Sequence, residues 1–125
     1  MDKKRILIIE DDSSLRKTLQ EFLGADGFDA VGAEDGEEGS KMAKEGNPDL
    51  ILLDVILPKK DGYEVLKELK ENQETKNIPI IFLTNLESPA DVERAVKLGA
   101  TTYLTKADYK LEEVAEKIRE ILKIK

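Results

Sequence analysis

Two kinds of segment alternate along the chain. Ile6-Leu7-Ile8-Ile9, Leu50-Ile51-Leu52-Leu53 and Ile80-Ile81-Phe82-Leu83 are unbroken apolar runs. Runs that are apolar on both faces predict central strands of a parallel sheet, covered on both sides. Phe28 to Ala33 and Thr102 to Thr105 are more mixed, as edge strands are. Between these runs the apolar spacing changes to a helical one. Leu15, Leu19, Phe22 and Leu23 follow the capping candidates Asp12 and Ser13. Asp35 to Glu45 is a weaker helix, in which Gly36 and Gly39 lower the propensity and Met42 and Ala43 face the core. Tyr63, Val65, Leu66 and Leu69 mark a third helix behind Asp61-Gly62. Ser88-Pro89 opens a fourth, with Val92, Ala95 and Val96. Leu111, Val114, Ala115, Ile118, Ile121 and Leu122 form the clearest amphipathic stripe. Five strands alternating with five helices predict an α/β, doubly wound, flavodoxin-like fold with a five-stranded parallel sheet. The common strand order for that pattern is 2-1-3-4-5. It opens a crevice where the carboxyl ends of the first and third strands meet.

Length and composition narrow the picture. The 125 residues make one domain, expected to span 1–125. Twenty Lys and Arg against 27 Asp and Glu leave a net charge of −7. Such a surface repels nucleic acid backbones and anionic membranes, so no direct nucleic acid or membrane binding is expected. There is no Cys and no His. Disulfides, thiolate chemistry, His-based triads and His-ligated metals are therefore excluded, and Asp, Glu, Lys, Ser, Thr, Tyr or a bound ion must carry any chemistry. The apolar runs fall far short of a membrane span, and the start, Met1-Asp2-Lys3-Lys4-Arg5, is not a signal peptide. A cytoplasmic location is expected.

The polar residues at the strand ends are the informative ones. The first strand runs into Glu10-Asp11-Asp12 and the third ends in Asp54. The fourth ends in Thr84, and the fifth in Thr105-Lys106. Carboxylates from two strands thus meet at the crevice, joined by a hydroxyl and an ammonium. An acidic, oxygen-only cluster is hard-cation chemistry, and Mg²⁺ suits it. Lys106 would neutralise an incoming phosphoryl oxygen, and Asp54 is a candidate nucleophile that would form an aspartyl phosphate.

These residues carry a resemblance. Ile-Ile-Glu10-Asp11-Asp12, Leu-Leu-Asp54-Val-Ile-Leu-Pro58-x-x-Asp61-Gly62, Leu83-Thr84 and Tyr103-Leu-Thr-Lys106 occur in order on strand ends. Over essentially its whole length the chain resembles a response-regulator receiver domain of two-component signalling, of the single-domain chemotaxis or sporulation type. The resemblance implies that Asp54 accepts a phosphoryl group from the phosphohistidine of a sensor histidine kinase or phosphotransfer protein. It implies that Glu10, Asp11, Asp54 and the backbone carbonyl of Ile56 hold Mg²⁺. Thr84 and Lys106 would bind the phosphoryl oxygens, Tyr103 would switch its rotamer with Thr84, and a downstream protein would read the last helix–strand–helix surface. Asp12 is read as a cap, and Pro58 and Gly62 as turn residues. The Lys/Glu-rich stretches Lys67 to Lys76 and Glu112 to Lys125 are expected to be solvated helix faces.

In one respect the chain departs from the family pattern. Ala107 follows Lys106 where the family usually has Pro, often with a cis bond that a non-proline residue makes costly. The positions two after the acceptor and two after Thr84 are Ile56 and Leu86, both apolar, which implies slow loss of the phosphoryl group. The chain is thus expected not to be an enzyme, beyond its own phosphorylation and slow dephosphorylation. A dehalogenase-type phosphatase would need a second Asp where Ile56 stands. A flavodoxin-like carrier would not open its phosphate loop with three carboxylates. A docking-only receiver would not need the complete site. No output domain is visible in these 125 residues, so a stand-alone regulator and a piece of a longer one are both expected possibilities.

Overall fold

The computed structural model describes residues 3–55, 57–84, 89–105 and 110–124, the side chains of 84 and 89–92 excepted. The elements are β1 (Arg5–Ile9), α1 (Ser13–Ala25), β2 (Asp29–Ala33), α2 (Gly36–Gly46), β3 (Leu50–Asp54), α3 (Gly62–Glu71), β4 (Ile80–Thr84), α4 (Pro89–Lys97), β5 (Thr102–Thr105) and α5 (Leu111–Leu122). The strands form one parallel sheet in the order β2-β1-β3-β4-β5. The mixed segments are therefore the edges and the continuous runs the centre.

Alternation along each central strand divides the core into two layers. Leu7, Ile9, Ile51, Leu53, Ile80 and Phe82 point to one side, where Ala43 of α2, Leu66 and Leu69 of α3 and Ala95 of α4 cover them. Ile6, Ile8, Leu50, Leu52, Ile81 and Leu83 point to the other, against Leu19 and Leu23 of α1 and Val114 and Ile118 of α5. Nearly all of these side chains are fully buried. Each stabilises the fold by about 1.5–3 kcal/mol through burial alone, which is why all four positions of a central run must be apolar.

Three aspartates fix where helices begin. Asp12 accepts hydrogen bonds from the backbone N–H groups of Ser14 and Leu15, Asp35 from Glu38, and Asp61 from Glu64. Each cap satisfies donors that the first helical turn leaves open. All three lie at the carboxyl end of the sheet, so the caps also shape the rim around the crevice.

Candidate functional site

Register brings the acidic residues together. β1 and β3 are neighbours, with Ile9 opposite Leu53, so the residues that follow them leave the sheet side by side. Glu10, Asp11 and Asp54 each place a carboxylate oxygen within 4.8 Å of the others. Glu10 and Asp54 are buried, at 0% and 4% exposure, while Asp11 faces solvent. At an effective dielectric constant of about 20, two unit negative charges about 5 Å apart repel by roughly 3 kcal/mol. An oxygen-only pocket of this kind can bind a metal ion, and the donor set fits a hard cation rather than one that prefers nitrogen or sulfur.

The acidic turn is held by the backbone. The Glu10 N–H donates to the Ala33 carbonyl at 3.0 Å, and the Asp12 N–H donates to Glu10 Oε2 at 3.1 Å. Asp12 itself is occupied as the α1 cap, in agreement with its reading from sequence.

The segment after Asp54 is clamped at both ends. The Gly62 N–H donates to the Val55 carbonyl at 2.7 Å, and a Cβ on Gly62 would lie 2.2 Å from the Asp54 carbonyl oxygen. On the other side the N-terminus of α2 presses on the loop. The Gly36 N–H approaches the Pro58 carbonyl at 3.4 Å, and a Cβ on Gly36 would meet the Lys60 carbonyl oxygen at 1.8 Å. Lys59 adopts a left-handed backbone, φ 67°, and its Nζ lies 3.5 Å from Asp35 Oδ2. The Asp35 carboxyl is held below its ordinary range by the Glu38 N–H, against the opposing effect of burial, with Lys59 assisting.

Beside this clamp sits a charge network that the sequence pattern hides. Glu68 on α3 pairs with Lys60 at 2.6 Å and with Lys44 of α2 at 3.0 Å. Burial pushes the Glu68 carboxyl up, but hydrogen bonds from Lys60, Lys44 and Ser40 more than offset it and hold the group at about 2. Lys70 donates to the carbonyls of Lys76 and Ile78, at 3.2 and 3.0 Å, and burial lowers its ammonium. The expectation that Lys67 to Lys76 is simply a solvated face is therefore corrected at Glu68 and Lys70. Their partners come from α2 and from the loops just before and after α3, outside the helical repeat, so the helix pattern does not announce them. Gly36 and Gly62 do leave a sequence signal: each follows a capping Asp, at a first helical position where a larger residue would otherwise serve.

The remaining candidates lie further along the rim. Thr84 closes β4 with its main chain opposite Thr105 of β5, but its side chain lies outside the described residues. Ile56, Leu86, Lys106 and the Lys106–Ala107 bond also lie outside them. Tyr103 pairs with Phe82 across the sheet and is 41% exposed, and Val96 of α4 is also exposed. Phe82 in turn meets Tyr63 edge-on, with centroids 5.3 Å apart, and the Arg94 guanidinium lies 4.0 Å from the Tyr63 ring centre. This contact ties α4 to α3. Among the described residues no helix is long and apolar enough to cross a membrane.

Comparison with known proteins gives one consistent result. The model of the response regulator receiver domain matches residues 6–119. The alkaline phosphatase synthesis transcriptional regulatory protein PhoP of Bacillus subtilis is 41% identical over 120 residues, which cover 96% of this chain and 49% of that protein. The transcriptional regulatory protein CiaR of Streptococcus pneumoniae is 44% identical over 119 residues, covering 95% and 51%. The chain thus spans about half the length of the curated relatives it matches. Among solved structures, the receiver domain of Francisella response regulator 1452 superposes with a TM-score of 0.90 at 27% identity, covering 97% of this chain and 98% of that one. Chemotaxis protein CheY4 of Vibrio cholerae gives 0.88 at 27% identity, covering 95% and 98%.

Proposed function

The chain belongs to the response regulator receiver-domain family, and from that membership we propose that it is a phosphorylation-activated signalling switch whose acceptor is Asp54. The observation that carries the reading is the convergence of the Glu10, Asp11 and Asp54 carboxylates at the end of two adjacent central strands. An Asp54 oxygen attacks the phosphorus of a phosphohistidine on a sensor histidine kinase or phosphotransfer protein. The O–P bond forms as the P–N bond breaks. The imidazole leaves with that electron pair and is neutral when its other ring nitrogen carries a proton. Glu10, Asp11 and Asp54, with the Ile56 carbonyl, would hold Mg²⁺. When bound, that ion supplies neutralisation of the transferred oxygens. Thr84 and Lys106 take the remaining oxygens. The chain acts only on its own aspartate, with slow hydrolysis afterwards, and is not a turnover enzyme. A cytoplasmic site of action follows from that role.

The output is a population shift. The phosphoryl group favours whichever of two states gives Thr84 and Lys106 the better contact with it. Residues 92–98, Tyr103 and Leu111 to Ile118 form the surface read by a downstream protein, and the exposure of Val96 and Tyr103 supports this. The kinase docks beside the site, near Ser14, Leu15 and Thr18 of α1. The test is intact-mass analysis after incubation with acetyl phosphate and Mg²⁺. The native chain should gain one phosphate, while Asp54→Asn, or the native chain in excess chelator, should gain none. Full labelling of Asp54→Asn would overturn the assignment.

A further inference from the structure

We propose that Arg16 is a positioning residue for the acidic turn that presents Glu10 and Asp11 to a divalent cation, an inference that rests on the site reading above. Arg16 bonds to both ends of that turn. Its backbone N–H makes the first hydrogen bond of α1, to the Asp12 carbonyl at 2.9 Å, as any residue there would, and its guanidinium Nη1 donates to the Glu10 carbonyl at 2.8 Å in part-buried surroundings. Asp11 lies between the two anchored carbonyls. A second feature serves the same contact. Gly32 of β2 is level with Ile8, whose side chain lies in the α1 layer. A Cβ on Gly32 would come within 3.0 Å of Arg16 Cδ and 2.7 Å of Gln20 Oε1. The missing side chain leaves the path along which Arg16 crosses the edge strand to reach Glu10.

Two effects of Arg16 on cation binding have opposite signs, which makes the role measurable. Its positive charge near the pocket repels a cation, so deleting it should tighten binding if charge alone mattered. Its hydrogen bond restrains the main chain that carries the ligands, so deletion should weaken binding. Removing such an outer partner of a metal site typically costs 10- to 100-fold in affinity. Restraint is the larger effect, because a guanidinium in part-buried but wet surroundings is strongly screened, whereas a freed turn loses its preset geometry.

The experiment is calorimetric titration of Mn²⁺ into the full, unphosphorylated chain at fixed ionic strength, at a temperature where circular dichroism finds each variant folded. Arg16→Ala should bind about 10-fold more weakly than native. Gly32→Ala, which keeps every charge and crowds the Arg16 path, should weaken binding in the same direction, and it carries the test if Arg16→Ala does not fold. Arg16→Lys should recover part of the loss. Lys17→Ala removes the same charge from the next, exposed position of α1 and should leave affinity unchanged. Unchanged or tighter binding by Arg16→Ala, or equal weakening by Lys17→Ala, would overturn the inference. A native chain that binds no Mn²⁺ would instead overturn the site reading and the inference with it.

Discussion

Gly36→Ala should destabilise the protein, although alanine is the better helix former. In an open helix interior the change gains up to about 1 kcal/mol, and less at the first position of α2. Here the new methyl would sit 1.8 Å from the Lys60 carbonyl oxygen and 2.7 Å from its carbon. Both are backbone atoms, so no rotamer change relieves the contact, and α2 must separate from the loop by about 1 Å or more. That movement strains the Gly36–Pro58 hydrogen bond and the Lys59–Asp35 pair. Enlarging a closely packed site costs about 1–3 kcal/mol, and the upper part of that range applies to a backbone obstacle. The net loss is about 2 kcal/mol. A chain of this size gains about 0.26 kcal/mol per kelvin in unfolding entropy, so Tm should fall by about 8 °C. Differential scanning calorimetry reads this directly. The control is Gly24→Ala in α1, where a Cβ meets nothing within 4 Å, and Tm should rise by a few degrees. Because the displaced loop leads away from Asp54, labelling of Gly36→Ala by acetyl phosphate should also slow at a temperature where it is folded. A Tm at or above native would refute the close approach as a constraint.

Glu68→Gln tests the partly buried charge network through pH. The folded carboxyl lies near 2 against an ordinary 4.5, so its stabilisation is complete above about 4.5 and is lost as pH falls through 2. The full shift corresponds to about 3 kcal/mol, and screening at a site roughly one-third exposed reduces that to about 1–2 kcal/mol. Urea denaturation should find that deficit at pH 7 and see it shrink below pH 4.5, and a deficit independent of pH would contradict the assignment. Tyr63→Leu removes the edge contact with Phe82 and the ring beneath Arg94, and should cost about 1–2 kcal/mol by the same method. A loss no greater than that of Arg94→Ala alone would show that the Phe82 contact contributes nothing. Ile56→Asn with Leu86→Glu should speed loss of the phosphoryl group about 10-fold or more, by giving an attacking water polar partners. An unchanged rate of phosphate release, or a native phosphate lost within seconds, would contradict the reading of those positions.

The central strands were legible because burial on both sheet faces demands unbroken apolar runs. The edges were legible because Phe28 to Ala33 and Thr102 to Thr105 lack such runs, and the order of the rest is the common one for five alternating strands and helices. The acidic pocket was legible for a related reason: Glu10 and Asp54 stand directly after runs that must be adjacent, so topology alone brings them together. What stayed hidden depends on how helices dock rather than on local pattern. Glu68 and Lys70 occupy a stretch rich in charge, and only the approach of α2 and of the loop before β4 turns them inward. Arg16 looks like any polar residue of an amphipathic helix until Gly32, sixteen positions on, opens its path.

The central claim is that charge on Asp54 alters a surface remote from it. The direct measurement is an amide NMR comparison of the chain with and without beryllofluoride and Mg²⁺, beryllofluoride standing in for the phosphoryl group. Shifts should extend from the acidic turn to residues 92–98 in and just after α4, Tyr103 of β5 and Leu111 to Ile118 of α5, and should disappear in Asp54→Asn. Shifts confined to Glu10, Asp11, Asp54 and their immediate neighbours would contradict it.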